Sequence, residues 1–168
     1  MAIKLKRRLP TGETRWWTLR EALQGKPIER PIHPMLVHFP IAFYIGALGL
    51  DVFSRIGTHP SAPPAATWLI EAGLLGFAAA ALTGFAERLT MARGSKIHVL
   101  ATRHMWIQYT AAAIFVVNLA VRWSGRHDVR ASGWWIALDL IGVLIMTAGA
   151  DIGGQMVYTI GYRGLGGD

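Results

Sequence analysis

Residues 35–53 read MLVHFPIAFYIGALGLDVF, 19 residues from Met35 to Phe53 in which Asp51 is the only carboxylate or ammonium-type charge. At about 1.5 Å of rise per residue, a helix of this length spans roughly 28 Å, close to the hydrocarbon thickness of a bilayer. Three further stretches have the same character: Ala66–Ala86, Met105–Trp123 and Trp134–Ile152. Four soluble helices this apolar on every face would leave nothing to meet water. The pattern predicts an all-α bundle of four transmembrane helices in a lipid bilayer.

Composition agrees. The chain has 168 residues, of which 52% are hydrophobic and 16% charged, with a mean hydropathy of +0.34. A soluble domain usually carries about 25% charged residues, so this one cannot cover an ordinary water-facing surface. Zero cysteines exclude disulfides, thiolate metal sites, iron–sulfur clusters and covalently attached haem. No strand pattern is evident, so a phosphate-cradling glycine loop after a strand is not expected, and no serine sits in a nucleophile motif. Four helices offer too apolar a face for a monomeric channel.

The net charge of +7 is topological. Eight Lys and Arg residues lie in an N-terminal arm, residues 1–31, from Lys4 to Arg30. With Arg88, Arg93, Lys96 and Arg103 of the second loop and Arg163 of the tail, 13 basic residues fall on one side, against Arg55, Arg122, Arg126 and Arg130 on the other. The positive-inside rule then predicts a multi-pass protein of the bacterial inner membrane with both termini cytoplasmic, and no nucleic-acid partner. The membrane domain is read as 32–160 and a cytoplasmic tail as 161–168. Within the arm, Thr18-Leu19-Arg20-Glu21 has capping-box spacing and Gly25 is a stop signal. Trp16, Leu19 and Leu23 are expected on one face of a short interfacial helix.

The histidines carry the functional expectation. His33 and His38 open helix one, and His98 and His104 are expected just before helix three, at the same membrane surface. Ionisable groups kept in a membrane mark a site by default. Neither His33 with His38 nor His98 with His104 can chelate from one helical face, because each pair is more than 100° apart around its axis. A shared ligand must be gripped from two helices, and His38 with His104 is the simplest pair. Two facing imidazoles suit the axial positions of an iron porphyrin, and without cysteine the form left is haem b. Electron transfer would follow, with a redox partner, a larger membrane complex or a second copy of the chain as associates and no enzymatic activity of its own. Two other readings stand beside it. One is a non-haem metal site from His33, His38, His98 and His104 with Glu87 or Asp151. The other is a structural anchor subunit whose histidines serve only helix ends.

An internal repeat supports the His38–His104 pairing. The offsets from His38 to His104, Asp51 to Asn118, Arg55 to Arg122, and Glu71 to Asp139 all fall between 66 and 68. They suggest a parallel duplication of a two-helix hairpin about an axis along the membrane normal. Pro34 suits a first helical turn, whereas Pro40 removes the bond to the Leu36 carbonyl, so helix one either starts near His38 or kinks beside it. Gly76, Ala80 and Gly84, and Gly149 with Gly153, have the spacing of close helix packing.

A second polar layer is expected at the other end of the bundle. Asp51, Glu71, Asn118 and Asp139 contribute one group from each helix, and a hydrogen-bonded clamp is the expected arrangement. A proton or quinone site is the other reading of that layer. His59 and His127 fall in the loops beyond it, where they would be solvated or hold a second haem.

The element Ile32-His33-Pro34-Met35-Leu36-Val37-His38-Phe39-Pro40-Ile41, the preceding Leu19–Pro27 segment and the terminal Gly153-Gly154-Gln155-Met156-Val157-Tyr158 together resemble the bacterial membrane family known as domain of unknown function 2231. The resemblance covers about Gly25 to Gly166, with all four helices in register. Relatives carry a His-Pro-x-His-Pro doublet where this chain has Arg30-Pro31-Ile32-His33-Pro34, so Arg30 cannot do what a first histidine does there. The resemblance implies an architecture similar to four-helix b-type membrane cytochromes, and through it haem. It implies no established activity.

Overall fold

The computed structural model describes residues 4–8, 12, 14–125 and 127–162. Arg126, Arg163 and the rest of the expected tail beyond residue 162 lie outside the described residues.

The chain begins with something its composition did not suggest. Strand β1 (Lys4–Arg8) pairs antiparallel with β2 (Thr14–Thr18), Lys4 opposite Thr18 and Arg8 opposite Thr14. The expectation of no strands is therefore corrected. Trp16 is also a strand residue rather than part of a helical face. The run Thr14-Arg15-Trp16-Trp17-Thr18 is rich in β-favouring aromatic and Thr side chains, and one partner strand suffices to pair it.

Helix α1 (Leu19–Leu23) follows directly, closed by the expected capping box: the Glu21 amide donates to Thr18 Oγ1 over 3.2 Å, and the Thr18 amide donates to Glu21 Oε2 over 3.0 Å. Gly25, at φ +75°, turns the chain into a short 3-10 segment, Lys26–Ile28. A Cβ there would lie 1.7 Å from the Arg30 carbonyl oxygen, so only glycine fits. The arm also rests on protein: Trp17 is buried, and the Gln24 amide donates to the Ala86 carbonyl of the second long helix over 2.7 Å.

Four membrane-length spans follow: α2 (His33–Leu36) running into α3 (His38–Phe53), then α4 (Ala62–Arg88), α5 (Lys96–Arg122) and α6 (Gly133–Tyr158). In the most apolar part of each span, 22–28% of residues are buried inside the protein. The remainder, including Leu75, Leu82, Val116 and Leu144, presents apolar surface outward, which only lipid can satisfy.

The break between α2 and α3 falls at Val37. Pro40 supplies no N–H for the Leu36 carbonyl, and the next bond, from the Ile41 amide to the Val37 oxygen, is 3.4 Å long. Helix one is thus kinked rather than delayed. Helix three starts earlier than its hydropathy indicates. Ser95 caps it by accepting from the His98 amide over 3.3 Å, which brings His98 and His104 inside α5 rather than ahead of it.

Consecutive helices are neighbours, and α6 closes the ring against α3. At the centre Tyr44 of α3 stacks on Phe115 of α5, ring centroids 3.7 Å apart and planes 8° from parallel. Tyr44 lies over Gly73 of α4, and Phe115 over Gly142 of α6. Ala47, Ala66, Ile70, Ala111 and Met146 complete the core.

These contacts define the duplication. Tyr44 maps to Phe115 by 71 residues, and Gly73 to Gly142 by 69. The same ring-over-glycine contact thus occurs in the hairpins α3–α4 and α5–α6, at a register a few residues longer than the offsets of 66 to 68 read from the polar residues.

Candidate functional site

At the end of the bundle where the arm docks, the same register brings two imidazoles together. They belong to His33 and His104, with ring centroids 6.3 Å apart and planes at 85°. His33 Nδ1 lies 2.8 Å from the Ala80 carbonyl of α4, and His104 Nδ1 lies 2.7 Å from the Gly149 carbonyl of α6. A carbonyl only accepts, so in each ring Nδ1 carries the proton and Nε2 keeps its lone pair. Each ring also lies against a glycine. A Cβ on Gly84 would come within 2.8 Å of His33, and one on Gly153 within 3.2 Å of His104. His33, Ala80 and Gly84 recur as His104, Gly149 and Gly153, so the duplication has built one imidazole seat twice. The small-residue spacings on helices two and four have a purpose that packing alone did not reveal.

The expected partner of His104 is different. His38 is exposed, and its Nδ1 reaches only the Met35 carbonyl at 3.4 Å. The kink at Val37 turns His33 toward the bundle axis and leaves His38 on the outside. His98 is half-buried on a different face of α5 from His104. Among the described residues no three His, Asp or Glu side chains gather into a metal-binding group, so the wider set with Glu87 or Asp151 is not assembled.

The second polar layer forms at the other end, around a residue the charge count had assigned to a loop. Arg122 is the last residue of α5 and is fully buried. Its Nη2 lies 2.5 Å from Asp51 Oδ2 of α3 and 3.4 Å from Asp139 Oδ2 of α6. Nη1 donates to Thr67 Oγ1 of α4 over 3.2 Å, and Nε donates to Asn118 Oδ1 over 3.3 Å. Asn118 in turn donates to Asp139 Oδ1 over 2.6 Å and to the Trp135 carbonyl over 3.1 Å, while the guanidinium lies 4.8 Å from the Trp135 ring centre. One guanidinium thus ties all four helices, as a clamp was expected to do. Sequence reasoning missed Arg122 because it borders an apolar run. The offset from Asp51 to Arg122 equals that from Tyr44 to Phe115, and this was the available signal.

Glu71 stands apart from the clamp. It shares a cavity with Trp68, Trp123 and His127. His59 stacks on Phe53, ring centroids 3.8 Å apart.

Fold and site together define a four-span membrane protein built from two related hairpins, with a paired imidazole site at one end and a buried ionic clamp at the other. The chain belongs to the family described as "Predicted membrane protein (DUF2231)", which matches residues 29–164. No curated protein and no solved structure matches it.

Proposed function

We propose that His33 and His104 are the axial ligands of one haem b, and that the protein is an electron-transfer component of the bacterial inner membrane. The reading keeps the helices and the cofactor expected from sequence and exchanges His38 for His33. What carries it is the donor set: two imidazoles from opposite hairpins, each with Nδ1 engaged by a main-chain carbonyl and Nε2 left as a base. That tautomer is the one a ligating histidine needs, and the carbonyl fixes its orientation. The two ring centres lie 6.3 Å apart, so both side chains are within reach of one ligand held between helices one and three. A porphyrin supplies four of six iron ligands and asks two of the protein. A non-haem zinc site asks for three or four. Bound haem would supply one-electron chemistry. The chain's own residues orient the two donors and, through Gly84 and Gly153, keep side-chain bulk away from them.

The basic bias supports placing the histidine end, the arm and both termini on the cytoplasmic side.

The test is an oxidised-minus-reduced absorption spectrum of protein purified from cells supplied with haem precursor. A sharp reduced α-band, near one haem per chain, is expected in the wild type and in His38→Ala, and is expected to be lost in His33→Ala and His104→Ala. A folded, colourless protein that takes up no added haemin overturns the reading. Stoichiometric non-porphyrin metal, sensitive also to His98→Ala, would point instead to a metal site.

A further inference from the structure

Outside the bundle, at the end carrying the Arg122 clamp, Pro64, Thr67, Trp68, Glu71, Trp123 and His127 line an open cavity of about 350 Å³. Glu71 is the unusual member. It lies more than two turns inside a membrane-length helix, half-buried, and no described residue donates to it or pairs with it. A carboxylate in an apolar span without a partner is costly, and such residues mark ligand or ion sites. Two indoles flank it, and tryptophan faces are the strongest aromatic partners of a cation.

We propose that this cavity binds an ammonium group carried on an apolar tail, with Glu71 as the counter-charge and Trp68 and Trp123 as walls. The charge balance beneath the cavity favours a cation. Thr67 accepts from Arg122, but that guanidinium already faces both Asp51 and Asp139, so the buried cluster adds no net positive charge. Among the described residues that line the cavity none is a lysine or arginine that would offset the repulsion between Glu71 and an anion. The tail has its own track. Trp68, Leu75 and Leu82 are exposed and spaced by seven residues, so they form one outward stripe along α4 leading away from the cavity. A lipid with an amine headgroup and a free amphipathic amine share this chemistry.

The inference is independent of the haem reading, because the cavity and the histidine pair are at opposite ends of the molecule. It is tested on the full chain in an uncharged maltoside detergent by titrating decyltrimethylammonium and following tryptophan fluorescence. A saturable change is expected for the wild type, weakened at least tenfold in Glu71→Gln and weakened in Trp68→Leu, with decanol giving no saturable change. Equal binding by wild type and Glu71→Gln, equal response to decanol, or no saturable change in the wild type overturns the proposal. If Glu71→Gln does not fold, Trp68→Leu and the decanol control decide. Native mass spectrometry after extraction from vesicles of phosphatidylethanolamine and phosphatidylglycerol then identifies the source. Retention of the ethanolamine lipid by the wild type but not by Glu71→Gln assigns a lipid headgroup. A saturable titration without lipid retention assigns a free amphipathic amine.

Discussion

His33 and His104 meet edge to plane at a centroid distance of 6.3 Å, His33 held by a carbonyl of α4 and His104 by one of α6. Neither ring touches a donor that would compete for Nε2 in the contacts described. The geometry of each seat depends on a glycine. Gly84→Ala would place a Cβ 2.8 Å from His33 Cε1, and Gly153→Ala one 3.2 Å from His104 Cε1. We expect Gly84→Ala to lower the thermal midpoint in detergent more than Gly153→Ala, the former costing about 1–3 kcal/mol as overpacking does. Equal midpoints for the two variants and the wild type would show that the rings move aside freely.

Arg122 carries the largest expected single-residue effect. Removing it leaves Asp51 and Asp139 facing each other in a fully buried site. Arg122→Leu should destabilise the bundle by about 3–5 kcal/mol, the usual cost of breaking a buried pair from one side. Arg122→Leu combined with Asp51→Asn and Asp139→Asn should recover much of that loss, since no unpaired charge remains. Thermal unfolding of the wild type, the single variant and the triple variant checks both statements, and a single variant no worse than the triple would contradict them.

Tyr44 predicts the opposite sign. Its ring stacks on Phe115, but its hydroxyl is buried and has no hydrogen-bond partner among the described residues. Tyr44→Phe should be neutral or stabilising by up to about 1 kcal/mol, because it removes a desolvated hydroxyl and keeps the stack. Tyr44→Ala should cost about 3–5 kcal/mol. A large loss in Tyr44→Phe would reveal a partner for the hydroxyl that the protein itself does not supply.

The arm provides a pH dependence. Glu21 has its carboxyl held below the usual value of 4.5, first by the Thr18 backbone amide, then by the Thr18 hydroxyl, and with Lys26 adding a smaller favourable charge. A folded-state value below the unfolded one means the contribution is fully present above about pH 4.5 and is lost as pH falls through the lowered value. The protection factors of the Thr18 amide and of those in the first turn of α1, measured relative to the intrinsic exchange rate at each pH, should therefore fall on acidification, and Glu21→Gln should weaken the dependence. An unchanged pH profile in Glu21→Gln would assign the effect elsewhere.

The four spans were visible in the chain because span length and hydropathy are local properties, and each membrane helix satisfies its own backbone. The Thr18–Glu21 capping box was visible for the same reason, as all its atoms lie within one turn. The β-hairpin was not, since its two strands are only five residues each and the first, Lys4–Arg8, is mostly basic, so the β-favouring run Thr14–Thr18 shows its partner only in the folded chain.

The histidine pair was half visible. Sequence pointed to imidazoles on helices one and three at one end, and that much follows from where the residues fall along each span. Which residue of helix one faces His104 depends on rotation about the helix axis, and the break at Val37 sets that rotation beyond the reach of spacing arguments.

Sequence alone determined a four-span apolar bundle with polar groups near both ends, because transfer of each segment from water to lipid is settled residue by residue. Only the tertiary structure decided that Arg122, at the edge of its span, is buried rather than solvated. Its carboxylate partners stand 71 and 17 residues away, and burial of a guanidinium becomes tolerable only once α3 and α6 bring them to it. The same packing left Glu71 outside that cluster, facing a cavity lined by two tryptophans.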